Sequence, residues 1–336
     1  MPQPFTFVPG PVLGRLLESS KEDVLATVRD TYLLHGERAT NNPPSHFLRF
    51  DDRPDARIIA LPAAVRGREP VSGIKWIASY PQNIHQNLQR ASAVLVLNDY
   101  ETGYPIACLE AAQISAARTA ASAVLGAEAL TGERTTAHLA IVGAGVIART
   151  MIDYFAAARW KIGRVSVFDL RTADAQRLAD HAQARLDTPS DVAATVDEAL
   201  ADATCIVFAT TASTPHVHGA DRLRAGQVVL HVSLRDLAPE IILASTNIVD
   251  DIDHCLKADT SPHLAEKLCG HRDFIDGTLA DVLSGRLVVR RDRPVIFSPF
   301  GLGVLDVALG LHLLRAAERR GLAQHVDAFF GDTARW

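Results

Sequence analysis

The chain has 336 residues, 48% of them hydrophobic and 22% charged, with a formal net charge of −5. That length exceeds one typical core and suits two domains, and the mild negative charge excludes nucleic acid or a membrane surface as a partner. No apolar run reaches spanning length, and the first residues lack the basic flank and apolar stretch of a signal peptide.

In chain order, the spacing first predicts a helix over 20–36. Ser20 is placed to cap it, Asp23 follows three residues on, and Val24, Leu25, Val28 and Tyr32 form its apolar stripe. Strands follow at 57–65, 72–79 and 92–98. The Asp99-Tyr-Glu-Thr-Gly103 turn folds the chain back into a strand near 104–107. The alanine-rich stretch 109–130 reads as a long helix stopped near Gly132. From His138 the pattern alternates. Strands are predicted at 139–142, 164–168, 204–209, 227–232 and 246–249, with helices between them, one at 173–186. Alternation of this kind implies a parallel sheet covered on both faces. A short helix at 278–284 and an amphipathic helix at 304–320 complete the reading. The expected fold is therefore α/β: a Rossmann-type doubly wound parallel sheet over 126–303, inserted in an α+β substrate and dimerisation domain built from 1–125 and 304–336. The cleft between domains is the default place for chemistry.

The most specific motif is Leu-Ala-Ile-Val-Gly143-Ala144-Gly145-Val146-Ile147-Ala148. Gly143 makes a tight turn, Gly145 lets the backbone approach a pyrophosphate, and small Ala148 lets helix pack on strand. The helix N-terminus offers amide donors to the anion. Asp169 ends the next predicted strand, 26 residues after Gly143. An acid there meets ribose hydroxyls and repels a 2′-phosphate, so the expected cofactor is NAD; Arg171 softens that preference. Thr210 and Thr211 follow the third strand of this alternation, at the edge where a cofactor lies. Ser233 and Ser298 mark two later polar positions. The alternative is a glycine turn and hydroxyls that only shape loops.

Three cations interrupt apolar stretches: Arg49 in His-Phe-Leu-Arg-Phe, Lys75 in Gly-Ile-Lys-Trp-Ile, and Arg118 in Ser-Ala-Ala-Arg-Thr-Ala-Ala. Buried charge is costly unless paired. Either they bind substrate carboxylates, or they are solvated or pair with a nearby acid such as Glu110. Arg235 and Asp236 offer an anion site and a proton-transfer group, or only a surface pair. The four cysteines are scattered and fit reduced thiols in a cytoplasmic protein, and the thirteen histidines show no metal-ligand spacing.

In order, Gly73-Ile-Lys75-Trp-Ile, the Asn98 to Pro105 turn, Arg118-Thr119-Ala-Ala, the Gly143-Ala-Gly145 turn and Ser298-Pro-Phe-Gly-Leu-Gly resemble the ornithine cyclodeaminase/μ-crystallin family over nearly the whole chain. His46-Phe-Leu-Arg-Phe, Ile58-Ile-Ala-Leu-Pro-Ala and Ala91 to Asp99 resemble one branch, the N-(2-amino-2-carboxyethyl)-L-glutamate dehydrogenases. That resemblance implies NAD-dependent oxidation of a secondary amine, yielding 2,3-diaminopropionate for siderophore or peptide-antibiotic assembly. It implies a tricarboxylate substrate held by Arg49, Lys75, Arg118 and Arg235. Lys75 and Asp236 are the implied proton-transfer groups, and Thr119 joins the cofactor contacts. A homodimer is implied too. Arg235 is a departure that ornithine would not welcome, so it weighs against cyclodeaminase activity. Cyclodeaminase, alanine dehydrogenase, ketimine reductase and a μ-crystallin-like binding protein are the alternatives.

Overall fold

A computed structural model describes residues 4–331. It divides into two compact units: one built from the described residues up to Arg118 and from Leu302 onward, the other from Thr119 to Gly301. The sequence reading put these boundaries at 125/126 and 303/304. Residues 1–3 and 332–336, which it gave to the first domain, lie outside the described residues.

The first unit opens with β1 (Phe5–Val8), α1 (Gly10–Ser19) and α2 (Lys21–Gly36). Strands β2 (Thr40–Asn41), β3 (His46–Phe50), β4 (Arg53–Val65), β5 (Val71–Ser79), β6 (Ala91–Asp99) and β7 (Pro105–Glu110) follow. Helix α3 (Ala112–Thr131) contains the first boundary. The second unit holds β8 (Thr135–Val142), α4 (Val146–Ala157), β9 (Lys161–Phe168), α5 (Thr172–Leu186), β10 (Ser190–Val192), α6 (Val196–Leu200), β11 (Cys205–Phe208) and β12 (Val228–His231). It continues with α7 (Pro239–Leu243), β13 (Thr246–Val249), α8 (Ile252–Cys255), α9 (Ser261–Cys269), β14 (Ile275–Thr278), α10 (Leu279–Leu283) and β15 (Val295–Ser298). The chain then returns to the first unit as α11 (Gly303–Arg319) and β16 (Gln324–Val326). No described helix is long and apolar enough to cross a membrane.

In the first unit the strands run in the order β16-β1-β7-β6-β5-β4-β2, with β3 paired to β4. Pairing is antiparallel except between β1 and β7. The strands β4, β5 and β6 were expected slightly shorter, at 57–65, 72–79 and 92–98. Their inner face carries Leu61, Lys75 and Leu95 side by side. Helix α11 covers it, burying Val304, Leu305, Val307, Leu309, Leu311, Leu313 and Leu314. Each such side chain contributes about 1.5–3 kcal/mol of burial. Gly310 allows the approach, since a Cβ there would meet Leu95 Cδ2 at 2.1 Å. The opposite face is apolar and open. It carries Leu48, Trp76 and Val94, all exposed, among half-buried Ile58, Ile74 and Val96.

One local expectation fails. Ser20 does not cap α2 with its side chain. A separate helix, α1, ends one residue earlier, and the Ser20 hydroxyl turns back to donate to Leu16 O at 2.6 Å.

The second sheet is wholly parallel, in the order β10-β9-β8-β11-β12-β15-β13-β14. The strand order reverses between β8 and β11, the crevice where such sheets bind ligands. Ile296 packs with Ile241, Ile242 and Ala265 of α7 and α9 on one face. Its neighbour Phe297 points to the other, against Gly126 of α3. Helices therefore cover both faces. The reading missed β15, three apolar residues and Ser298 between Pro294 and Pro299. It is too short to show a period, yet it lies between β12 and β13.

Candidate functional site

In the first unit, two of the three sequence-flagged cations meet. Lys75 on β5 is 1% exposed, and its Nζ donates to Asp306 Oδ2 at 2.6 Å and to Ser115 Oγ at 3.1 Å. Arg118 on α3 is also buried, and its Nε donates to Asp306 Oδ1 at 3.2 Å. Arg118 Nη2 lies 3.5 Å from the same Ser115 hydroxyl. One carboxylate, itself fully buried, thus faces two buried cations, and the cluster keeps an excess of positive charge. Burial pushes the Lys75 ammonium down, the Asp306 charge and hydrogen bond push it part of the way back, and Arg118 adds to the fall, which leaves it at about 8.

The acid that pairs with these cations is not Glu110. Glu110 accepts from Ala112 N at 2.7 Å and Gln113 N at 3.3 Å, so it caps the start of α3. The partner is Asp306, in the third position after Gly303 of α11, and no signal near Lys75 pointed to it. Its own context was the only clue: an acid in the apolar first half of α11, between Val304-Leu305 and Val307.

Arg49 is corrected in a different way. It was expected in an apolar setting, but β3 pairs only with β4 and His46 to Arg49 are all exposed. Its guanidinium lies 5.4 Å from the Phe47 ring centroid, a cation–π contact. Register places it opposite Arg57, on the Lys75 side of the sheet. Arg57 is four residues from Leu61, the partner of Lys75, or roughly 13 Å along the strand. Sequence reasoning missed Arg57.

In the second unit the glycine turn lies between β8 and α4. Gly143 has φ +98°, and a Cβ there would meet Ala209 O at 2.5 Å, so this position requires glycine. At Gly145 a Cβ would meet nothing within 4 Å. The space beside it is open, as close approach of a phosphate requires. Gly145 is the N-cap of α4 and makes no side-chain cap, and Arg149 N is bonded back to Gly145 O. The amides of Val146, Ile147 and Ala148 therefore precede the first intrahelical bond. Asp169, half-buried, accepts from Ala144 N at 2.8 Å and Arg171 N at 2.9 Å, which fixes its carboxylate beside the turn. The Arg171 side chain is mostly exposed and pairs with Asp174.

Asp236 lies in the loop after β12 and is fully buried. Thr210 Oγ1 and His216 Nε2 donate to its Oδ1, the latter at 3.1 Å, and Ser233 Oγ donates to Oδ2. His231 Nε2 lies 3.3 Å from Oδ2 but also 3.2 Å from the Asp236 amide, and it can serve only one. His231 Nδ1 is buried without a partner among the described residues. The two choices cost alike: a proton on Nε2 strands the Asp236 N–H, and a proton on Nδ1 strands the ring N–H there instead. Burial pushes the Asp236 carboxyl up, but the bonds from His231, Ser233 and Thr210 outweigh it and hold the group well below the ordinary carboxylate range. Asp236, expected as a proton-transfer group, is thus enclosed, with both oxygens in hydrogen bonds. Arg235, expected to grip substrate, donates to Ala258 O at 2.7 Å and braces the α8–α9 loop.

The remaining cofactor-side positions are dispersed in character. Thr211 is exposed and Thr119 half-buried on α3. Ser298, at the end of β15, is 1% exposed, and its hydroxyl has no hydrogen-bond partner among the described residues. An orphaned buried hydroxyl costs about 1–3 kcal/mol and is a position a bound amide or hydroxyl would satisfy. Together the open Gly145 cradle, the fixed Asp169 carboxylate and the orphaned Ser298 hydroxyl fit a dinucleotide.

A model of the ornithine cyclodeaminase/mu-crystallin family matches residues 18–316. The N-((2S)-2-amino-2-carboxyethyl)-L-glutamate dehydrogenase of Staphylococcus aureus is 28% identical over 279 residues, covering 81% of this chain and 82% of that protein. Among solved structures, the Δ1-pyrroline-2-carboxylate reductase of Thermococcus litoralis in complex with NADH and L-proline superposes with a TM-score of 0.88 at 22% identity. The match covers 96% of this chain and 100% of that one. An archaeal alanine dehydrogenase dimer with bound NAD gives a TM-score of 0.87 at 22% identity, covering 97% and 100%. The two structural likenesses bear on the fold.

Proposed function

The chain belongs to the ornithine cyclodeaminase/mu-crystallin family, and from that premise we propose that it is an NAD-dependent dehydrogenase of N-(2-amino-2-carboxyethyl)-L-glutamate. The products would be L-2,3-diaminopropionate and 2-oxoglutarate. The observation that carries the reading is the buried Lys75–Asp306–Arg118 cluster, whose positive excess calls for an anionic substrate.

The substrate carries three carboxylates and a secondary amine. Hydride leaves the glutamate α-carbon and a proton leaves the amine, giving a C=N bond; water then adds and splits the product pair. NAD, when bound, supplies the hydride acceptor. Gly143, Ala144, Gly145, Val146 and Ile147 would hold its pyrophosphate and Asp169 its adenosine ribose, with Thr210, Ser233 and Ser298 further along the same edge of the sheet. Arg118 cannot deprotonate, so it is the carboxylate fork. Asp306 takes Nε, and the Nη edge is the one a carboxylate grips in bidentate fashion. Lys75, held near the working pH, takes the amine proton. Arg49 and Arg57 share its sheet face and serve a distal carboxylate.

Two features argue against a smaller substrate. A monocarboxylate such as alanine or proline would not reach the exposed Arg49, and ornithine would bring a second positive charge to a positive cluster. The test is NADH formation with the glutamate adduct, alanine, proline and ornithine in parallel, with the products identified by mass spectrometry. Turnover of the adduct at least tenfold faster than the others supports the reading. Turnover of proline or alanine alone overturns it in favour of a sister enzyme.

We also propose a homodimer through the open face of the first sheet, because Leu48, Trp76 and Val94 form an apolar surface that water disfavours. Trp76→Glu should convert a dimer to a monomer by light scattering; an unchanged mass would remove this face from consideration.

A further inference from the structure

We propose that Asp306 is a positioning residue of the active site: one carboxylate that sets the spacing of Lys75 and Arg118 and keeps Lys75 able to carry a proton. This inference rests on the dehydrogenase reading of the same cluster.

The geometry divides the carboxylate between two jobs. Oδ2 holds the Lys75 ammonium and Oδ1 the Arg118 guanidinium, so neither cation can shift without losing its bond. The flanking strands β4 and β6 present Leu61 and Leu95 at the register positions of Lys75. Helix α3 presents Ser115 and Arg118, and α11 presents Asp306. One acid therefore balances this lysine against both its burial and its cationic neighbour.

Stability does not explain an acid here. A buried ion pair is often no better than well-packed apolar groups of similar volume. At that position of α11 an aliphatic residue would match its neighbours. Without Asp306, however, Lys75 would face burial and Arg118 together. Both favour the neutral amine, so the lysine would give up its proton well before the working pH. A lysine locked neutral can accept an amine proton but holds it poorly, and it no longer adds charge for the substrate carboxylate. Asp306 keeps both forms within reach.

The test reads the lysine directly. The chain has five lysines, Lys21, Lys75, Lys161, Lys257 and Lys267, so selectively labelled side chains are resolvable by NMR, and Lys75→Arg assigns the signal. In ligand-free protein Lys75 should titrate at about 8. Asp306→Asn should lower that midpoint by about one pH unit or more, and Asp306→Glu should restore most of it. The limb of the kcat/KM pH profile should move by the same amount, which a purely structural role would not cause. An unchanged midpoint in Asp306→Asn, or a wild-type lysine titrating at its ordinary value, overturns the inference. Should Asp306→Asn fail to fold, Lys75→Met added to it should recover at least half of the lost urea midpoint, because it removes one stranded cation. No recovery also overturns it. If the protein turned over no amino acid at all, the dehydrogenase reading would fall while the titration still judged Asp306.

Discussion

Asp306 in the first unit and Asp236 in the second are both fully buried, and the two are surrounded by opposite company. Asp306 in the first unit faces an ammonium and a guanidinium. Asp236 in the second faces two hydroxyls and two imidazoles. The first arrangement leaves positive charge over and can receive an anion. The second spends the acid's charge on the hydroxyls of Thr210 and Ser233 and the imidazoles beside them. A buried acid is therefore no functional label by itself; the charge balance of its neighbours decides whether it serves a ligand or a loop.

The largest break in this contrast should come from Lys75→Arg. Arginine keeps the positive charge but cannot give up a proton at any working pH. We expect kcat to fall by about 10²–10⁴-fold, the usual size of a lost acid–base group, with KM within a few-fold of wild type. Steady-state kinetics with saturating NAD decides it. Retained kcat would mean that the proton leaves by another route.

Asp236→Asn probes the other side. It should cost about 3 kcal/mol of stability, because several bonds to a buried charge are weakened at once. The carboxyl lies below its ordinary range in the folded protein. Its stabilisation is therefore complete above the unfolded value, about 4, and is lost as pH falls through the folded one. Urea unfolding should show the gap between wild type and variant narrowing between about pH 5 and about pH 2. The kcat of folded variant should stay close to wild type. A large kcat loss at full folding would restore Asp236 to the chemistry.

The same contrast explains what the sequence could and could not reveal. The Gly143–Gly145 turn, Asp169 and the strand–helix alternation are local, since each signal lies within a few residues of the structure it makes. Lys75 and Arg118 were visible because a charge in an apolar run is anomalous wherever it packs. Their partner was not visible: Asp306 lies 231 residues from Lys75 and meets it only when α11 covers the sheet. Arg49 misled because its strand looks apolar, and nothing local shows that β3 is paired on one side only. The surroundings of Asp236 were hidden for a related reason. Its donors Thr210 and His216 come from the loop after a different strand, β11.

A smaller effect, mainly on nucleotide, should follow Gly145→Ala. The added Cβ meets nothing within 4 Å, so the fold loses only the N-cap preference for glycine over alanine, about 0.5–1 kcal/mol. The methyl would instead fill space reserved for the pyrophosphate. We expect the NAD dissociation constant to rise about tenfold by calorimetry, the equivalent of about 1.4 kcal/mol, with the melting temperature only slightly lowered. Unchanged affinity would show that the phosphates do not approach this residue.

Arg49→Ala should give the smallest change and the sharpest one for substrate identity. Arg49 is solvated, so truncating it strands no buried partner and should leave stability within about 0.5 kcal/mol of wild type. Exposed charge pairs contribute about 0.2–1 kcal/mol, so KM for a tricarboxylate should rise only about two- to fivefold, and the rise should weaken with added salt. The KM of a monocarboxylate amino acid should not move, because such a substrate ends at Arg118 and never reaches Arg49 on β3. Equal effects on both substrates would mean that Arg49 tunes the general field of the sheet face rather than a distal carboxylate. The proposed length of the substrate would then lose its support, while the buried cluster at Lys75 would keep its own.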